Sequence, residues 1–219
     1  MRRGNGRTRT SMRWPVAVAV LAIGALLVGC SSDDSQGSAP ALAGVVRTPP
    51  LDVSEVTMPN ASDPETVVTM KAAPGELLLV YFGYTNCPDI CPTTMSDMSV
   101  AMADLPTGQA DRIKVAMVAI DPDRDTGEVL DAYLGHFFER TVGLRTEDPD
   151  ELLAVTNAFG VQFEVADHDS TEEEYEVSHT AVTYVVDDTG TVVVEWPFGM
   201  DSADMATDLT ALLSGPDST

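Results

Sequence analysis

Two uninterrupted apolar runs dominate the hydrophobic pattern: ELLLVYF at 76–82, just after Pro74-Gly75, and IKVAMVAI at 113–120. Runs of this length suit strands buried on both faces. Elsewhere the period is helical. TTMSDMSVAMADL (93–105) repeats Met95, Met98 and Met102 at helical spacing. DTGEVLDAYLGHFF (125–138) offers Asp125 or Thr126 as its N-cap, with acids in the early turns. DPDELLAVTNAFG (148–160) has Pro149 near its start and Gly160 at its end, and DSADMATDLTALL (201–213) reads as a closing helix. TVGLRT is a short strand. HTAVTYVVD and TVVVEW, joined by DTG, predict a hairpin, and so do DVSEVTMP and ETVVTM around NASDP. The expected fold is α/β: a central mixed β-sheet flanked by helices, with an N-terminal β-hairpin.

The first 50 residues follow a different pattern. A basic head with five arginines precedes an apolar run from Val16 to Val28, too short for a comfortable membrane span of about 20 residues. Basic head and short apolar run together predict an export signal. The run ends in Leu27-Val28-Gly29-Cys30, which resembles a bacterial lipobox, a signal whose cysteine is lipidated and becomes the mature N-terminus. SSDDSQGSAPALAGVVRTPP (31–50) lacks period and predicts a flexible tether. The expected organisation is a signal peptide at 1–29, a tether at 30–50 and one domain at 51–215, lipid-anchored on the extracytoplasmic side of the cell membrane.

Composition adds two constraints. With 219 residues and 44% hydrophobic content, the chain can bury a sizeable core. Beyond residue 29 it carries seven basic against 35 acidic residues, a formal charge of −28. Such a surface repels nucleic acid and anionic headgroups. It serves solubility as readily as it serves a basic partner.

Of three cysteines, lipidation of Cys30 leaves Cys87 and Cys91 as the domain's only thiol pair, in YTNCPDICPTT. The loop between them is too short for a disulfide to stabilise the fold much, which points to chemistry. The pair follows the first buried strand at the mouth of a helix, the thioredoxin arrangement. A helix N-terminus favours thiolate over thiol. Residues four apart share a helical face, within reach of a disulfide or of one soft ion, Cu(I) or Zn(II). Pro88 and Pro92 leave two possible starting points for that helix.

Two thiolates leave a metal site short of ligands. His136, inside a predicted helix beside Phe137 and Phe138, reads as a surface or half-buried residue, and His168, in the acidic VADHDSTEEEYE loop, as solvated. His179 opens the strand HTAVTYVVD, whose start lies beside the dithiol turn in a thioredoxin-like sheet. A strand-edge histidine and a metal ligand are equally good readings of its position alone.

FGYTNCPDICPTTM (82–95) closely resembles the signature of the Sco/SenC copper proteins, membrane-tethered proteins of thioredoxin fold. IDPDRDT (120–126) resembles their second motif and VSHTAVTYVVDDTG (177–190) their histidine segment, in the family's order and spacing. The resemblance covers about residues 51–215. It implies that Cys87, Cys91 and His179 ligate copper and that the protein delivers copper to the binuclear centre of cytochrome c oxidase subunit II. It also implies an alternative, a thiol–disulfide oxidoreductase that reduces the acceptor's cysteines with the Cys87–Cys91 pair. Asp121 matches the family's DP-x-R-D-T aspartate, a residue expected to order the site from beside it or simply to end a strand. Asn86 and Ser178 depart from the common histidine and aspartate, and no proline precedes the His179 strand. A peroxidase would need Thr-x-x-Cys, which Tyr84-Thr85-Asn86-Cys87 lacks.

The remaining candidates have plainer readings. The methionines under the dithiol are expected to pack the core. Trp196 and Phe198 are expected to pack the hairpin end, and Glu172-Glu173-Glu174 to form a solvated run, close enough to His179 to meet a basic partner.

Overall fold

The structure is a computed structural model that describes residues 41–169 and 174–215. The proposed signal peptide, Cys30, Glu172 and Glu173 lie outside the described residues. Among the described residues, no helix is long and apolar enough to cross a membrane.

In chain order the elements are β1 (Leu51–Asp52), β2 (Thr57–Asn60), β3 (Asp63–Thr69), β4 (Leu77–Gly83), α1 (Ile90–Ala103), β5 (Ile113–Ala119), α2 (Gly127–Gly135) and β6 (Thr141–Leu144). They continue with α3 (Pro149–Phe159), β7 (Phe163–Val165), β8 (Val177–His179), β9 (Val182–Val186), β10 (Thr191–Pro197) and α4 (Ser202–Leu213). Eight strands form one mixed sheet in the order β1-β10-β9-β4-β5-β6-β2-β3, with β4, β5 and β6 parallel. The two apolar runs are its centre. Every residue of β4 is buried, as continuous hydrophobicity demands of a strand covered on both faces. β7 and β8 form a separate two-stranded antiparallel ribbon.

Local chemistry sets the helix ends. Thr126 caps α2 by accepting the Val129 N–H, so the cap is Thr126 rather than Asp125. Asp148 caps α3, which ends at Gly160 in the left-handed conformation that a glycine adopts without steric cost. α1 begins at Ile90, between the two prolines. Pro92 falls in its first turn, where a missing N–H removes no helical bond. Met95 and Met98 are buried beneath the sheet and Met102 packs at its edge, as expected of core residues.

The early hairpin forms, but with a different division of the sequence. β2 and β3 pair around Ala61-Ser62, while Leu51–Asp52 runs to the opposite edge and pairs with β10. The tether is shorter than its composition predicts. Val45 exchanges backbone hydrogen bonds of 2.9 Å with Glu195, Arg47 pairs with Glu195, and the Ala43 and Gly44 N–H groups donate to Asp208. Gly/Ala/Pro-rich composition reports low intrinsic order, and these contacts, invisible in the local sequence, outweigh it. Trp196 is buried as expected, but Phe198 is about half exposed and packs nothing comparable.

Candidate metal centre

The site lies at the carboxyl end of β4, where the chain leaves the sheet. Gly83 closes that strand because nothing larger fits. A Cβ there would lie 2.6 Å from the Tyr81 ring and 3.1 Å from the Cys91 sulfur. The loop that follows carries Cys87, and the first turn of α1 carries Cys91. Asp89 occupies the N-cap position of α1 without a side-chain cap bond. The Cys87 sulfur takes over part of that role, accepting the Cys91 N–H at 3.4 Å.

The two thiols, both free, differ sharply. Burial works against ionising Cys87, but the backbone N–H groups of Asp89 and Cys91, with the Cys91 and Tyr84 side chains, outweigh it, and its pKa falls below the ordinary thiol value. Cys91 is fully buried, and burial pushes it up to about 12 despite hydrogen bonds from the Tyr84 backbone and the Tyr81 hydroxyl. Cys87 is thus the accessible, thiolate-prone sulfur, and Cys91 the sheltered one.

His179 arrives by a route that the sequence pattern misassigns. It does not open the β9 strand. It ends β8, which pairs with β7 so that His179 stands opposite Phe163, and β9 begins at Val182. The Thr180 N–H donates to the Gln162 carbonyl and the Gln162 N–H to the Thr180 hydroxyl, fixing the end of the ribbon. The ribbon brings His179 Nε2 to 3.5 Å from the Cys91 sulfur across 88 residues of sequence. His179 Nδ1–H donates to the Thr180 carbonyl at 3.0 Å, which leaves the Nε2 lone pair facing the sulfur. Burial lowers the His179 pKa, against the opposing effect of that carbonyl, so the imidazole stays neutral over a wider pH range than usual. Tyr81 and Tyr84 meet the imidazole edge-on, with ring centroids at 5.8 and 6.1 Å, and the Tyr84 hydroxyl donates to the Val177 carbonyl of β8.

Among the described residues, no three His, Cys, Asp or Glu side chains are already gathered at metal-binding spacing. Cys91 and His179 are two candidate ligands that the fold brings side by side, with half-buried Cys87 against the Cys91 N–H.

A polar latch flanks the candidate ligands. Asp121, buried at the end of β5, accepts from Arg124 Nε at 2.5 Å and from the Tyr175 hydroxyl at 2.6 Å. The Arg124 guanidinium lies 3.7 Å over the Tyr175 ring, whose other neighbour is the stacked imidazole of His168 at 3.6 Å. His168 Nε2 is 3.0 Å from Asp123, so this histidine is paired and stacked rather than solvated. His136 is exposed on the surface, as expected. Asp125, fully buried, accepts the Thr85 N–H and hydroxyl and so ties the dithiol loop to the loop after β5; burial raises it to about 6. A groove of about 840 Å³ opens beside the thiol loop, lined by Asn86, Pro88 and the carboxylates Glu164, Glu174 and Glu176.

Sequence reasoning missed Tyr81, Tyr84, Asp125, Arg124 and Tyr175. Tyr81 carried a faint signal as the one hydroxyl inside an otherwise apolar run; Tyr84, Arg124 and Asp125 lie inside the two quoted motifs, which did not reveal their partners, and Tyr175 offered no signal.

Comparison with known proteins finds relatives in sequence and in fold. A SCO2-like protein of Rickettsia felis is 38% identical over 116 residues, which is 53% of this chain and 56% of the relative. The chain spans about half the length of the curated relatives it matches. The solution structure of apo Sco1 from Thermus thermophilus shares the fold with a TM-score of 0.64 at 29% identity, covering 81% of this chain and 98% of that one. Copper-bound ScoI from Bradyrhizobium japonicum follows at 0.58 and 28%, covering 77% and 98%. The fold is thioredoxin-like. The SCO1/SenC family model matches residues 61–214, most of the described domain, and the chain belongs to that family.

Proposed function

We propose that this chain is a copper metallochaperone, lipid-anchored through Cys30 on the extracytoplasmic side, which holds one copper ion on Cys87, Cys91 and His179. Its acceptor on this reading is the binuclear copper centre of cytochrome c oxidase subunit II. The observation that carries the reading is the 3.5 Å separation of Cys91 Sγ and His179 Nε2. Metal–thiolate and metal–imidazole bonds of about 2.3 and 2.0 Å at a tetrahedral angle hold their donors about 3.5 Å apart. Thiolate and imidazole suit copper, and the related ScoI from Bradyrhizobium japonicum carries it.

Three ligands leave the ion open to attack by an acceptor's donors, which a delivery protein needs. Cys87, half-buried where Cys91 is fully buried, is the ligand to release first. Asp121 orders the loop beside the site through Arg124 and Tyr175. Oxidation of the two cysteines to a disulfide, with loss of two protons and two electrons, removes both sulfur ligands and couples loading to redox state.

The test is an anaerobic copper titration of the reduced protein. One copper per chain is expected, with His179→Ala weakening affinity by about a hundredfold or more. Unchanged affinity in that variant would remove the basis of the reading.

A second reading draws on the contrast between the thiols. An accessible thiolate-prone Cys87 beside a buried Cys91 suits a thiol–disulfide reductase. Cys87 attacks an acceptor disulfide, Cys91 resolves the mixed disulfide, and the acceptor leaves as a dithiol while this pair becomes a disulfide. That chemistry does not need His179, so reductase turnover surviving in His179→Ala separates the two roles.

A further inference from the structure

Resting on the copper reading, we propose that Tyr81 tunes the site's preference between copper oxidation states through a hydrogen bond to the Cys91 sulfur. The Tyr81 hydroxyl donates to Cys91 Sγ at 3.7 Å, and the same ring meets the His179 imidazole edge-on. One side chain thus touches two of the three ligands. It is fully buried in the central strand, so no solvent competes for the hydroxyl. The glycine two positions on provides room for both ring and sulfur, since a Cβ there would strike each.

The physical consequence is directional. A thiolate gives up less electron density to Cu(I) than to Cu(II), so it stays more negative in the reduced complex. A donor aimed at that sulfur then binds the reduced complex more strongly and holds the balance toward Cu(I). Hydrogen bonding around a ligating sulfur is an established control on copper potentials. Tyr81 is a positioning and tuning residue acting through Cys91; it is not itself a ligand.

The experiment compares wild type, Tyr81→Phe, and a protein carrying 3-fluorotyrosine at position 81, whose hydroxyl is a stronger donor. Affinities for Cu(I) and Cu(II) are measured separately by competition, and the thiolate-to-copper charge-transfer band is recorded in the Cu(II) form. In Tyr81→Phe the ratio of Cu(I) to Cu(II) affinity is expected to fall up to about tenfold, equivalent to about 59 mV for a one-electron couple, with the band moving to lower energy. The fluorinated protein is expected to shift both readouts the opposite way, which remains measurable if the phenylalanine variant folds poorly. Parallel loss of both affinities at constant ratio, or an unshifted band in both proteins, would mean that Tyr81 only packs and would overturn the proposal. A wild type that binds no copper would instead remove the underlying copper reading.

Discussion

Two regions of this domain bury polar groups completely, and they do it to opposite effect. Where the N-terminal segment docks, Asp208 is fully buried and its carboxylate accepts three N–H groups: Ala43 at 2.6 Å, Gly44 at 3.0 Å and the Trp196 indole at 3.0 Å. Every neighbour there is a donor meeting an acceptor, and the knot has no further chemistry to offer. At the carboxyl end of β4, Cys91 is equally buried, but its contacts are long and soft, 3.5 Å to an imidazole nitrogen and 3.7 Å to a phenol. There the thiol, kept protonated by burial, donates to the neutral imidazole nitrogen and accepts from the phenol, both through weak sulfur hydrogen bonds. Burying polar groups with only weak partners costs stability, and the proposed copper site is where this fold carries that cost. Complete, strong pairing marks the structural end, and weakly paired sulfur and nitrogen mark the proposed site.

Substitutions at each end sharpen this contrast. The largest effect is expected at the metal end. Cys91→Ser should abolish tight copper binding, lowering affinity by several orders of magnitude in an anaerobic competition titration, while shifting the unfolding midpoint little. Asp208→Ala should do the reverse. It strands three buried N–H donors and should cost about 3 kcal/mol in denaturant unfolding, yet still bind one copper per chain. Copper loss in Asp208→Ala on the scale of Cys91→Ser would dissolve the distinction.

A smaller effect concerns Asp125, which is buried like Asp208 but held by a single residue, Thr85. Its pKa is raised by burial to about 6, well above the unfolded carboxylate value near 3.9. The stability that goes with protonating this group is present below pH about 4 and is lost as pH rises through about 6. Asp125→Asn should therefore gain stability relative to wild type as pH rises from 4 to 7, because the asparagine never takes on the buried charge. Equal pH profiles for the two proteins, measured by urea unfolding, would show that the carboxylate is not desolvated as its burial implies.

Much of this architecture is legible in one dimension. Continuous apolar runs located β4 and β5, because strands covered on both faces have no polar side to reveal. Pro149 and Gly160 located α3, because both act within their own turns. The dithiol was equally visible, since two cysteines four residues apart depend only on local geometry. The tether boundary was not: its order comes from Asp208 and Glu195, some 150 residues away. His168 was misjudged for the same reason, since its partners Asp123 and Tyr175 arrive by folding.

His179 marks the limit most clearly. Family resemblance selected the residue, but local pattern assigned it to the wrong strand. Short-range propensity and hydrophobic period determine which segments are strands and helices, and they set the thiol pair at a helix mouth. Only the pairing of β7 with β8 decides that an imidazole meets Cys91. That pairing lies outside the main sheet, involves three residues on each side and leaves almost no periodic trace. The same holds for Tyr81 beneath the sulfur and for the unequal burial of the two thiols. Side-chain burial and the approach of distant donors are properties of the packed chain, and they decide what the site can bind.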